Sequence, residues 1–134
     1  MPLPAFAIAI TGGRAMRSTS RWLPALGWMA VIFWLSSGVD VPGGIEVPDK
    51  AAHFAAYAVL GALLWWAAAP LGVGRAGALA MMVGAIYGAG DEFHQHFVPG
   101  RTPDPLDWMA DVGGVVVAVA IAAAMMGARR ARRT

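Results

Sequence analysis

Cysteine is absent from the 134 residues, which excludes a disulfide framework, a zinc ribbon and a cysteine nucleophile. Charge is scarce as well. Only 13% of the residues are Asp, Glu, Lys or Arg, and 58% are hydrophobic. Soluble domains are about a quarter charged and about half apolar, so this chain departs from them on both counts, in the direction of a membrane. The length fits a single domain.

The apolar residues gather in four stretches, about Trp22–Ser37, Ala51–Ala69, Ala76–Gly90 and Leu106–Gly127. A bilayer core of about 30 Å needs about 20 helical residues. The fourth stretch meets that and the second nearly does. The first and third, of 16 and 15 residues, reach it only with their polar ends, Ser20 and Arg21 at one and Asp91 to Gln95 at the other. A soluble bundle keeps a polar face on every helix, and these stretches have almost none in their middles. The expected fold is therefore all-α: a polytopic membrane protein, a bundle of four transmembrane helices.

The net charge of +2 hides a segregation. Arg14, Arg17 and Arg21 precede the first stretch, Arg75 separates the second and third, and Arg129, Arg130, Arg132 and Arg133 follow the fourth. Alternate connections hold Lys50, Arg101 and every acidic residue: Asp40, Glu46, Asp49, Asp91, Glu92, Asp104, Asp107 and Asp111. By the positive-inside rule both termini are expected in the cytoplasm, with the acidic end outward. The basic tail, 129–134, directly follows a span. It reads as a topology signal and an anchor to anionic lipid rather than a nucleic-acid arm. Residues 1–15 lack a basic region ahead of their short apolar run, so they do not read as a signal peptide. They are expected to be disordered, and Met16–Arg17 also makes a natural start. The transmembrane domain is expected over 16–128. The glycines and prolines between 38 and 49 predict an irregular loop.

Small residues suit close helix packing, because lipid tails provide no hydrophobic drive for association. Gly84 and Gly88 form a small-xxx-small pair in the third stretch, and Gly113 and Gly114 open the fourth. The six tryptophans, Trp22, Trp28, Trp34, Trp65, Trp66 and Trp108, read as interface anchors and packing.

The polar residues at the acidic end carry the functional question. With Arg75 and Arg129 at the inner edge, a rise of 1.5 Å per residue puts Asp91 and Glu92 at about 24–26 Å and Asp111 at about 27 Å. His53, counted from Pro70, lies at about 26 Å. Three helices thus bring ionisable groups to one depth, just inside a hydrocarbon core about 30 Å thick. Facing lipid they would be costly, so they are expected to face inward and pair. Lys50, His53 and Tyr57 share one helix face by their spacing of three and four. Asp91 shares a face with Gln95, Glu92 with His96, and Asp107 with Asp111. Pro99, Gly100 and Pro103 force a turn from which Arg101 is expected to fold back onto the carboxylates.

His94 and His96 tempt a metal reading. Residues two apart on a helix point to nearly opposite sides, and no third ligand stands out, so no metal centre and no cofactor are expected. Thr102 and Ser36 lack a nucleophile context.

Asp91-Glu92-x-x-Gln95-x-x-x-Pro99-Gly100-Arg101, followed by Asp107 and Gly114, resembles the signature of the VanZ-like family. Lys50-x-x-His53-Phe54-x-x-Tyr57-x-x-Leu60-Gly61 is similar to that family's second-helix motif. The resemblance covers roughly residues 17–127. Asp111 departs from it, because the family pattern usually has an asparagine there, and His94 and His96 are no part of it. The resemblance implies a small bacterial membrane protein, in a family named for an accessory protein of resistance to teicoplanin, a lipid-bearing glycopeptide. It implies no particular reaction.

Three functional classes remain open. The preferred one is an outer-leaflet binding protein, in which Lys50, His53, Asp91, Glu92, Gln95, Arg101, Asp107 and Asp111 engage a lipid-linked envelope component or a lipidated glycopeptide, with membrane lipids as surroundings. The alternative is a membrane-embedded enzyme in which Asp91, Glu92 and His53 perform acid/base chemistry, with Arg101 and Lys50 holding a phosphate. A small transporter ranks last, because the helix middles are empty of charge.

Overall fold

The computed structural model describes residues 19–38 and 48–133. Arg14, Arg17, Asp40 and Glu46, the 1–15 segment and most of the expected 38–49 loop lie outside the described residues. Four α-helices follow one another: α1, Leu23–Ser36; α2, Asp49–Ala68; α3, Val73–Gln95; and α4, Pro105–Ala131. No strand occurs among the described residues. The all-α expectation holds.

Three of the four helices, α2 to α4, are long and apolar enough to cross a membrane. The fourth is not. Helix α1 has 14 residues, about 21 Å at 1.5 Å per residue, short of a hydrocarbon core. Its limits are local. Pro24 stands in its first turn, a position where a missing N–H costs nothing. The turn at Arg21–Trp22 separates it from the helical Thr19 and Ser20. At its far end Gly38 takes φ +76°, the left-handed conformation that stops a helix at low steric cost. Pro70 sits in a 3-10 turn, Ala69–Leu71, and Gly72 at φ +91° reverses the chain into α3. Asp91 to Gln95, needed to give the third stretch its length, are helical throughout.

The helices run alternately up and down, so α2 and α4 are parallel to each other. This parallel pair nevertheless has the most extensive packing in the bundle. A Cβ on Gly61 would lie 2.9 Å from the Val115 Cα, and one on Gly114 would strike the Phe54 carbonyl oxygen and lie 2.8 Å from the Ala58 nitrogen. The two backbones touch because neither glycine has a side chain, which is the close approach that small residues allow in membranes. Helix α3 lies antiparallel against α4. Gly84 faces Val115 and Gly88 faces Asp111, so the small-xxx-small pair is an α3–α4 contact.

Helix α1 rests more lightly on α2 and α3, tied by side-chain hydrogen bonds that include two along its length. Trp28 Nε1 donates to the Ala56 carbonyl at 2.8 Å, and the Tyr87 hydroxyl donates to the Met29 carbonyl at 2.6 Å. Trp108 Nε1 likewise fastens α4 to the Ala85 carbonyl of α3 at 3.0 Å. The outward faces carry Phe33, Ile86, Ile121 and Met125 exposed, an apolar belt that suits lipid and not water.

The charges part along the bundle axis. Arg21 donates to the Trp66 carbonyl and lies 4.5 Å over that indole, at the end where α3 begins and α4 ends. The acidic residues among those described stand at the opposite end. Gly114→Val places a branched side chain where Phe54 and Ala58 backbone already sits and is expected to destabilise the bundle by about 1–3 kcal/mol, the range for overpacking. Gly127→Ala, with nothing within 4 Å of its Cβ, is expected to be neutral. Thermal unfolding of both proteins in detergent checks the pair.

Candidate functional site

The end of the bundle formed by the C-termini of α1 and α3 and the N-termini of α2 and α4 gathers the polar side chains. Helix α4 starts there because Asp104 caps it. Its Oδ1 accepts from the Leu106 N–H at 2.9 Å, and Pro105 stands in the first turn. Because α2 and α4 are parallel and pinned by their glycines, residues 57 and 58 positions apart meet. Lys50 Nζ lies 3.0 Å from Asp107 Oδ1, and His53 Nδ1 lies 2.9 Å from Asp111 Oδ1. Lys50 also donates to Asp104 Oδ2 at 2.6 Å. The Lys50 ammonium, with the Leu106 N–H, holds the Asp104 carboxyl below the usual carboxylate range.

Helix α3 contributes its last turn. Asp91 Oδ2 accepts from the Ser36 hydroxyl of α1 at 2.9 Å. Glu92 Oε2 accepts from the Asp104 backbone N–H at 2.9 Å. Asp91, Glu92, Gln95, Asp107 and Asp111 are all buried, Asp111 completely. Several of their polar atoms have no partner: Asp91 Oδ1, Glu92 Oε1, Gln95 Nε2, Asp111 Oδ2 and, beside them, the Tyr57 hydroxyl. Four buried carboxyl groups thus face one largely buried imidazole. Both cations of this end stand nearer solvent, the Lys50 side chain 48% exposed and that of Arg101 32% exposed.

A cavity of about 100 Å³ opens at this end between α1, α2 and α3. Ser36, His53, Tyr57 and Asp91 line it together with Ile32, Leu35, Ala52 and Ala56, and Asp49 and Arg101 also stand on its wall. Arg101 turns back as expected, but not onto the α3 carboxylates. Its guanidinium meets Asp49 at 3.6 Å and the Leu35 carbonyl at 3.4 Å. The residues singled out by sequence therefore fall into two linked groups. His53 and Asp91, with Arg101, border the cavity. Lys50, Asp107, Asp111 and Glu92 pack at the α2–α3–α4 junction, with His53 on both sides of the divide. Gln95 is buried beyond Asp91 and does not line the cavity.

Ser36, Asp49 and Asp104 join the site without having been marked as members. Asp104 had a legible signal, an Asp-Pro pair opening an apolar run. Ser36 had none, because only the parallel packing of α1 and α3 brings it to Asp91. His94 and His96 diverge. His94 meets Ser37 at 3.1 Å and stacks on Phe33 at 4.3 Å, whereas the His96 ring stands against Phe97. A different set has metal-compatible spacing. One donor atom each of His53, Glu92 and Asp111 lies within 4.8 Å of the other two, and Asp49, His53 and Asp107 meet the same limit.

Membrane-length apolar helices and a polar cluster buried at one end define a helical membrane protein with an internal acidic site. A family model, VanZ/LLP1, matches residues 15–126, and the chain belongs to that family. No curated protein and no solved structure matches it.

Two substitutions test the site's internal bonds. Ser36→Ala removes the donor to a buried carboxylate and is expected to cost about 0.6–1.7 kcal/mol, the range for side-chain hydrogen bonds between membrane helices. The loss shrinks in an Asp91→Asn background, as a double-mutant cycle by thermal unfolding will read. Asp104→Asn keeps the cap and removes the carboxylate whose folded-state pKa is depressed. That group stabilises fully above its unfolded value and stops doing so as pH falls through its folded value. The variant is expected to lose less stability than wild type on acidification below about pH 4.

Proposed function

We propose that this VanZ-family protein is a binding protein of a bacterial cytoplasmic membrane, with the acidic end facing outward. Its ligand is the polar headgroup of a lipid-linked envelope component or a lipidated glycopeptide. The observation that carries the reading is the cavity between α1, α2 and α3, whose lining combines polar and apolar side chains. Such a lining suits an amphipathic molecule whose headgroup seats against Ser36, His53, Tyr57 and Asp91. The arginines at the opposite end support the orientation, and the unpartnered buried oxygens support recognition by a donor-bearing ligand.

In this reading His53 and Asp91 touch the ligand, and Arg101, held by Asp49, frames the site. Lys50, Asp107, Asp111, Glu92 and Gln95 shape the wall from behind. A second reading, acid/base catalysis on a lipid-linked substrate, is favoured by one feature. The His53–Asp111 contact of 2.9 Å is the carboxylate-oriented imidazole that proton transfer uses.

Drug susceptibility of a deletion strain tests the proposal. Wild type, Glu92→Gln and Asp91→Asn are supplied at matched membrane levels and challenged with teicoplanin and with vancomycin, which lacks the lipid. Selective rescue against teicoplanin by wild type alone is the expected result. Equal rescue by all three proteins would reduce the carboxylates to helix clamps, and a processed lipid product made only by wild type would favour the enzyme. Orientation has its own check, which the lack of cysteine makes simple. A cysteine replacing Phe97 is expected to react with an impermeant thiol reagent added to intact cells, and one replacing Arg130 only after lysis.

A further inference from the structure

Of the buried carboxylates at the α2–α3–α4 junction, Asp107 is paired with Lys50 and Asp111 Oδ1 meets His53 at 2.9 Å, but Glu92 has no cationic side chain bonded to it. Lys50 is committed to Asp104 and Asp107, and Arg101 to Asp49. The side chain of Asp111 is fully buried, that of His53 is 9% exposed, and Glu92 is 9% exposed. Glu92 Oε1 and Asp111 Oδ2 have no partner, although Glu92, Asp111 and His53 each hold a donor atom within 4.8 Å of the others. Two buried carboxylates, each with one unpaired oxygen, thus share a single imidazole, less pairing than buried charges require.

We propose that His53, Glu92 and Asp111 bind one divalent transition-metal cation, with Zn2+ the best match. One imidazole and two carboxylates form a donor set that zinc accepts, whereas Mg2+ prefers oxygen ligands and retains its waters. Ligand atoms about 2.0–2.2 Å from zinc stand about 3.4 Å apart in a tetrahedron. Donors already within 4.8 Å need side-chain adjustments of about 1 Å to close on the ion. Each ligand comes from a different helix, so the cation also clamps α2, α3 and α4. Asp49 and Asp107 form an alternative set only by sharing His53, and Asp49 is exposed, so the inner triad is the better site. The proposal goes beyond the lipid-binding reading and does not depend on it.

The full-length protein, purified without a histidine tag, is stripped with chelator in detergent. It is then exposed to Zn2+, Mn2+ or Mg2+ and freed of unbound ion. Metal content and thermal midpoint are read on wild type, Glu92→Gln and the double variant His94→Ala/His96→Ala. The expected pattern is about one retained Zn2+ per wild-type chain, held by three protein ligands with the fourth position left to water. It includes a thermal midpoint that rises with Zn2+ and moves less with Mg2+. The double histidine variant retains the ion, and Glu92→Gln, which removes a ligand itself, binds it more weakly by at least about 10–100-fold, the cost of losing only a ligand's supporting partner. The helix content of Glu92→Gln by circular dichroism establishes that it is folded. Should it unfold, His53→Gln takes its place with the same expectation. Wild type without retained zinc would overturn the proposal, as would binding that survives Glu92→Gln or disappears with His94 and His96. None of these readouts involves an antibiotic or a lipid, so the metal site and the ligand site stand or fall separately.

Discussion

Contact between the backbones of α2 and α4 governs the rest of the bundle. In lipid, helices gain nothing by hiding apolar side chains from water, so tight packing has to come from shape. Gly61 and Gly114 supply the shape by removing a side chain from each surface. This sets the register of two parallel helices that an up-and-down chain would otherwise hold apart diagonally. The same register brings Lys50 to Asp107 and His53 to Asp111. Helix α3 enters through Gly88, which leaves room for the Asp111 carboxylate, and one turn later it delivers Glu92. The glycines therefore position chemistry as well as backbone, although none carries a functional group.

Burial of charge is the second constraint, and it acts on the first. A carboxylate out of water needs donors or cations. The structure supplies some of them from backbone and hydroxyl groups, as in Ser36 to Asp91 and the Asp104 N–H to Glu92. It leaves other oxygens bare on the cavity side and at the helix junction. A fold that needed these residues only as clamps would gain from pairing every oxygen. The unpaired ones are buried in the same cluster as His53, which is why the site invites both readings offered for it.

Much of this was legible from residue spacing. Lys50, His53 and Tyr57, then Asp91 with Gln95, mark faces of helices that do turn inward, and the common depth of the ionisable groups follows from helical rise alone. Arg101 shows the limit. A loop arginine has reach enough for several acids, and only the path of residues 96–104 sends it to Asp49 instead of Asp91. Helix α1 shows another. Where its described helix begins, after the turn at Arg21–Trp22, and where it stops, at Gly38, are conformational events that hydropathy does not record. Ser36 was unreadable as a site residue because its partner lies 55 positions away.

The sequence by itself determined the helical membrane class, the VanZ family and the gathering of ionisable groups at one depth of the bundle, because each depends on composition, periodicity or a local motif. Tertiary structure alone decided which acids pair, which oxygens remain bare and which residues share a cavity. The physical reason is one of range. Hydropathy and helical rise act within a segment and fix depth. Pairing depends on rotation and register between helices, which are set by glycine contacts a few ångströms across between residues far apart in the chain.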